Sequence, residues 1–282
     1  MKVHDTVASF RRALDAERAA GHVVGLVPTM GYLHAGHRSL MDAAVAGSDV
    51  AAVTIFVNPL QFAPTEDLST YPRDLERDLA MARDAGVTHV FHPTVDEMYP
   101  EPVATTVSVS GVSEPLEGAS RPTHFAGVAT VVAKLFSIAG PCRAFFGEKD
   151  FQQLAVVRTM TRDLSLPVEV VGCPTVREPD GLALSSRNVY LTPEERAAAP
   201  VLQRALQAGR AAIIGGVRDA DAVRRVMHEV VATEPLARLD YAEVVSAATF
   251  HVPHPLRGEL RLLIAVRFSK ARLIDNVGAR AD

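Results

Sequence analysis

The sequence predicts an α/β protein, with a Rossmann-like parallel-sheet domain over residues 1–176 and a smaller C-terminal α+β lid domain over 177–282. Three observations predict it. Between Val23 and Phe91, apolar runs of strand length alternate with stretches whose apolar residues recur at helical spacing, the β-α-β-α-β order that right-handed crossovers build into a parallel sheet. The run Asp49-Val50-Ala51-Ala52-Val53-Thr54-Ile55-Phe56-Val57 is almost unbroken in apolar character, which suits a strand buried on both faces. After Pro174 the order changes to helices followed by strands, which points to a second unit.

Residues 5–20 set apolar against charged positions with helical period and stop before Gly21. Val23–Val27 reads as a strand broken at Pro28; glycines follow, and from Arg38 the apolar spacing is helical. The strand 50–57 ends at Asn58-Pro59, and a polar loop carrying Gln61 and Tyr71 runs to Pro72. A helix over 73–85 ends at Gly86, and Val87–Phe91 makes a short strand. From Glu101 to Thr123 the residues Pro, Gly and Ser loosen the pattern into an excursion over the sheet edge, with one alternating piece at Thr105–Val109. A helix 125–139, a strand 142–146, a helix 150–164 and a strand 168–171 complete a sheet of about five strands. In the second domain Thr192 serves as a helix cap, Pro193 as the first helical residue and Glu195 as the partner of a capping box. Helices reach about Ala211 and span 219–232, and 239–245 and 260–268 read as strands.

Composition removes several classes of function. With 282 residues, 48% apolar and 22% charged, the chain is long enough for real cores and too apolar for disorder. A net charge of −4 offers no general attraction for polyanions, so a nucleic-acid partner is not expected, and any phosphate must be held by a local pocket. Cys142 and Cys173 have no metal spacing and read as free thiols of a reducing cytoplasm. The acids and arginines of the N-terminal stretch do not resemble a signal peptide, and no window of about 18 apolar residues exists to span a membrane. A cytoplasmic protein with no membrane partner is expected.

Ligands in open parallel sheets collect at the carboxyl ends of the strands, and three stretches with chemistry fall there. His34 and His37 follow the first strand, with Gly36 between them removing the side chain that would keep a phosphate away. A helix N-terminus attracts anions through its free N–H groups and dipole. The same pair also fits an exposed cap, or two ligands of a metal whose third ligand is not apparent. Asn58 and Gln61 follow the second strand. Gly147-Glu148-Lys149-Asp150 follows a third, where Lys149 supplies a mobile charge for phosphate oxygens and Asp150 caps the helix or accepts from a ribose hydroxyl. A fourth stretch, Asp180 to Asn188, sits near the domain junction, where Ser185, Ser186 and Arg187 can grip a polyphosphate. Gln61 and Gln153 suit a small polar substrate with hydroxyl and carboxylate groups, because amides both donate and accept. The motifs GxxxxGK[ST] and GxGxxG are absent.

Together these blocks resemble the pantoate–β-alanine ligase family, the pantothenate synthetases. The resemblance runs through Pro28-Thr29-Met30-Gly31-Tyr32-Leu33-His34-Ala35-Gly36-His37, Phe56-Val57-Asn58-Pro59-Leu60-Gln61-Phe62, Arg121 to Val128, Phe146 to Leu154 and Ser185-Ser186-Arg187-Asn188. The His-x-Gly-His element alone is shared with other adenylyl-transferring enzymes. Leu184 stands where the family usually has methionine, a swap that nearly conserves volume. The resemblance implies an ATP- and Mg²⁺-dependent condensation of pantoate with β-alanine through a pantoyl adenylate, in a homodimer. It implies catalytic roles for His34, His37 and Lys149. ATP contacts are implied at these three and at Met30, Gly31, Tyr32, Leu33, Ala35, Gly36, Gly147, Glu148, Asp150, Val176, Leu184, Ser185, Ser186 and Arg187, and substrate contacts at Asn58, Gln61 and Gln153. Metal ligands from the protein stay undefined. Two rival readings remain at this point: a nucleotidyltransferase acting on a phosphorylated acceptor, and a non-catalytic nucleotide sensor.

Overall fold

The computed structural model describes residues 1–63 and 68–282. Part of the polar loop expected between Asn58 and Pro72, residues 64–67, lies outside the described residues. In chain order the elements are β1 (Lys2–His4), α1 (Val7–Ala19), β2 (Val24–Thr29), α2 (Ala35–Gly47), β3 (Val50–Ile55), α3 (Leu75–Asp84), β4 (His89–Phe91), α4 (Val95–Met98), α5 (Glu117–Ser120), α6 (His124–Ala139), β5 (Cys142–Gly147), α7 (Phe151–Asp163) and β6 (Val168–Cys173). After these come α8 (Pro193–Ala198), α9 (Val201–Ile214), α10 (Ala220–Ala232), β7 (Arg238–Ser246), β8 (Gly258–Arg267) and β9 (Arg272–Ala281). No helix among the described residues is long and apolar enough to cross a membrane.

The first sheet is parallel, in the order β1-β4-β3-β2-β5-β6. It has six strands rather than about five. The added one, β1, pairs with β4 over three residues, too few for any periodicity to register. Central strands are apolar on both faces because helices cover both: Val27, Val53, Val90 and Phe145 are buried with Leu40 and Met41 of α2.

Strand β2 does not break at Pro28 but runs on to Thr29. The ladder explains why proline is tolerated. The Thr29 carbonyl accepts from Phe56 N on the β3 side, so the alternate residue Pro28 turns its nitrogen toward β5. Pairing with β5 extends only over Gly25 and Leu26, so there is no ladder bond at Pro28 for the ring to remove.

The chain divides into two compact units, Met1–Glu148 with Gln152–Pro174, and Lys149–Phe151 with Thr175–Asp282. The division therefore falls two residues before the expected boundary at 176/177 and assigns the short lysine-bearing turn to the second unit. That unit is an antiparallel sheet, β7-β8-β9, with α9 and α10 laid on one face. Leu202, Leu206, Met227, Val244, Leu262 and Ile264 form its core. The third strand, β9, escapes the sequence reading because Asp275-Asn276 and Gly278 interrupt its apolar pattern.

Candidate active site

The turn after β2 is built around a buried carboxylate. Gly31 (φ +84°) and Tyr32 (φ +50°) both take the left-handed conformation, which turns two successive N–H groups inward. Tyr32 N and Leu33 N donate to Asp78 Oδ2 and Oδ1 at 2.8 and 2.7 Å, and Asp78, on α3, is only 1% exposed. Any Cβ at position 31 would sit 2.9 Å from Asp78 Oδ2, so both the backbone angle and the space call for glycine.

This turn delivers the two histidines to the start of α2 as a capping pair. His34 is the N-cap, and its Nδ1 accepts from Gly36 N at 3.1 Å. His37 Nδ1 accepts from His34 N at 3.3 Å, which closes a reciprocal capping box made of imidazoles. The ring centroids lie 4.1 Å apart. A helix start alone predicts free N–H groups for an anion; here those of His34 and Gly36 are held by the rings. The chemistry gains from the exchange. A nitrogen that accepts a hydrogen bond carries no proton, so the neutral rings hold theirs on Nε2, and each becomes a donor with a fixed tautomer.

A second cluster within the first unit gathers the amides. Asn58 is 1% exposed and uses its whole side chain within the protein: Oδ1 accepts from Leu60 N (3.3 Å) and Tyr99 OH (2.9 Å), while Nδ2 donates to Gln61 Oε1 and Gly127 O (3.2 Å each). Burial pushes the Tyr99 phenol up to about 12, so it stays a donor. Gln61 Nε2 lies 2.9 Å from Met30 Sδ, so the structure brings two expected site residues together. Arg121 Nη2 and His124 Nδ1 donate to the Gln61 carbonyl at 3.3 and 3.0 Å. Gly127 lets α6 press on this turn, since a Cβ there would lie 2.2 Å from Leu60 O.

Leu26 pairs with Ala144, so Thr29 and Gly147, three residues further along neighbouring parallel strands, end at the same height. Chain order reverses at this point, with β3 and β4 to one side of β2 and β5 and β6 to the other. Such a switch point is where open sheets bind ligands. Gln153 lies half-buried on α7. Its neighbour Gln152 is committed elsewhere, accepting from Glu117 N (3.1 Å) and donating to Val112 O (2.8 Å) and Pro115 O (2.7 Å). Both cysteines are buried free thiols: burial pushes Cys142 up to about 12, and burial with the nearby Glu148 carboxylate raises Cys173. Both shifts disfavour the thiolate, the nucleophilic form.

In the second unit, Lys149 Nζ lies 3.6 Å from Asp150 Oδ1. Leu184 N donates to Val176 O at 3.0 Å, which joins the two residues expected around the adenosine. Arg177 braces this hairpin through Gly181 O (3.0 Å) and a bidentate pair with the buried Asp275 (2.7 and 2.9 Å). Ser185 caps the short turn Ser186–Tyr190 by accepting from Arg187 N at 3.3 Å.

A family model described as Pantoate-beta-alanine ligase matches residues 2–278. The chain belongs to the pantoate-beta-alanine ligase family. It is 56% identical over 277 residues to the pantothenate synthetase of Chloroflexus aurantiacus, with 98% of this chain and 97% of that protein covered. The crystal structure of pantothenate synthetase from Thermus thermophilus superimposes with a TM-score of 0.93 at 52% identity, covering 98% of this chain and 99% of that one. The Francisella tularensis ligase, crystallised with beta-gamma ATP and beta-alanine, gives 0.81 at 32% identity over 98% and 97%. With family membership the nucleotidyltransferase and nucleotide-sensor readings fall. Sequence reasoning did not single out Asp78, which orders the turn before the histidines, or Tyr99, which donates to Asn58. Asp78 in particular looks like an ordinary first-turn helix acid beside Glu76, and only packing distinguishes the two.

Proposed function

We propose that this chain joins pantoate to β-alanine in two steps, with the imidazole pair at the start of α2 as the observation that carries the first. The pantoate carboxylate oxygen attacks the α-phosphorus of ATP, the bond from that phosphorus to the α,β-bridging oxygen breaks, and pyrophosphate leaves. The β-alanine amine then attacks the carbonyl carbon of the pantoyl adenylate, sheds a proton and expels AMP. His34 and His37, with Nδ1 committed to the helix cap, donate from Nε2 to the α-phosphate oxygens as charge builds there. Lys149, Ser185, Ser186 and Arg187 grip the phosphates, and Val176 and Leu184 meet the adenosine.

Gln61 and Gln153 hold pantoate by its hydroxyls and carboxylate. Asn58, its own hydrogen-bonding positions filled, acts by aiming Gln61. Mg²⁺ would enter with ATP and offset the charge of its phosphates. The second unit serves as a lid that keeps water from the mixed anhydride. We place the enzyme in the cytoplasm as a homodimer, a state that light scattering measures directly.

Pyrophosphate release with ATP and pantoate, before β-alanine is added, tests the scheme. Wild type should release about one equivalent per site, and His37→Ala should slow that release by about 10²–10³-fold. Gln153→Ala should raise the pantoate KM while leaving ATP binding in place. Release that needs β-alanine, or full activity in His37→Ala, would overturn the scheme.

A further inference from the structure

We propose that Asn276 and Arg261, on the last two strands, are positioning residues that set the catalytic geometry of Lys149. The proposal rests on the reading above that Lys149 faces the reacting phosphates. The turn Lys149–Phe151 is three residues long and belongs with the C-terminal unit. Asn276 Nδ2 donates to the Lys149 carbonyl at 2.7 Å, across 127 positions of sequence. Arg261 Nε donates to Asn276 Oδ1 at 2.6 Å, which fixes which end of the amide faces the turn. The same guanidinium lies 4.0 Å from the centroid of the Phe151 ring. One arginine therefore holds both ends of the turn, the carbonyl of residue 149 through Asn276 and the ring of residue 151 directly. Phe250 stacks on Phe151 with centroids 5.9 Å apart.

The strands make this reach possible. Arg261 is paired with Gly278 across the β8–β9 ladder, and Asn276 lies two residues from Gly278 on the same face. Asn276 is itself held, its N–H donating to Asp275 Oδ1 (2.7 Å) and its carbonyl accepting from Arg177 Nη2 (3.3 Å). A 3%-exposed asparagine in the middle of a strand weakens the fold unless its polar groups are used. Here they are spent on the backbone from which the lysine projects. A flexible four-carbon side chain delivers its charge reliably only when its root is fixed, and a misplacement of about 1 Å at a reacting phosphate costs about 10²-fold in rate.

The test is a double-mutant cycle on the full-length chain, read by single-turnover pyrophosphate release at saturating ATP and pantoate, with thermal melting run in parallel. Asn276→Ala should slow release about tenfold to 10²-fold in kcat, with little change in the KM for ATP. In a Lys149→Ala background the same substitution should change the rate less than about twofold, because its effect passes through the lysine. Arg261→Met should show an intermediate loss. If Asn276→Ala slows both backgrounds equally, or leaves the wild-type rate intact, the positioning role is overturned. If Lys149→Ala itself leaves release unchanged, the reading of Lys149 as phosphate-facing fails, and this inference goes with it. Should the alanine variant not fold, Asn276→Asp, which is nearly isosteric and still accepts from Arg261 but cannot donate to Lys149, puts the same question with the same outcomes.

Discussion

The imidazole turn and the lysine turn follow neighbouring strands that end at one height, yet they are made rigid by different means. The imidazole turn largely holds itself: His34 and His37 cap the helix they begin, and one buried carboxylate, Asp78, clamps the two residues before them. The lysine turn is held from further along the chain. Its carbonyl partner comes from β9, and its aromatic end rests on Arg261 and Phe250. The two turns, which the proposed function assigns to one chemistry, thus draw their order from different ranges of sequence, so one should survive perturbations of the C-terminal strands that the other does not.

The sharpest way to break the comparison separates capping from catalysis at position 34. Asparagine is among the best N-caps. His34→Asn should therefore keep the melting temperature within a few degrees of wild type while slowing pyrophosphate release about 10²-fold or more. A stable and fully active variant would show that the ring serves only the helix.

The next effect in size falls on the clamp. Asp78→Ala leaves the buried N–H groups of Tyr32 and Leu33 without their acceptor, which costs about 2–5 kcal/mol of stability by urea denaturation. Asp78→Asn, which keeps one acceptor, should recover part of it. Activity should fall with the turn's order, whereas variants at Asn276 should lower activity with a smaller loss of stability.

The smallest expected effect lies away from both turns and serves as a control. His4 Nε2 lies 3.1 Å from His89 Nδ1 at the β1–β4 edge, and His89 Nε2 lies 3.3 Å from Glu17 Oε1. Burial, with the neighbouring His89, lowers the His4 pKa below its ordinary 6.5. The unfolded chain therefore binds the extra proton first, so this contribution to stability is complete above pH 6.5 and is lost as pH falls toward the folded value. Glu17, lowered by its hydrogen bonds to His22 and His89, adds a loss of the same sign below about 4.5. Melting temperature against pH should slope downward on the acid side of 6.5, and His4→Gln should flatten that slope while leaving pyrophosphate release at pH 8 unchanged.

Much of the candidate site could be picked out because its residues follow strand ends. Asn58 and Gln61 directly follow a run whose apolar character pointed to burial on both faces, and His34 and His37 follow the strand before it. What capping would do to the imidazoles was not legible: helical spacing puts residues 34 and 37 on one face but does not say which ring nitrogen the backbone takes. Pro28 misled for a related reason, since proline stops a strand only where its nitrogen faces a partner. Asp78 and Glu76 look alike in sequence, and β9 hides behind the polar pair that makes it useful.

By itself, then, the sequence determined the alternation of the longer elements in the first domain, the parallel sheet and the family, because apolar periodicity and motif spacing are local properties of a chain. The tertiary structure alone decided which carboxylate is buried and which distant strand holds the lysine. Those depend on the partner each polar group finds when water is removed, and that partner lies tens to more than a hundred residues away.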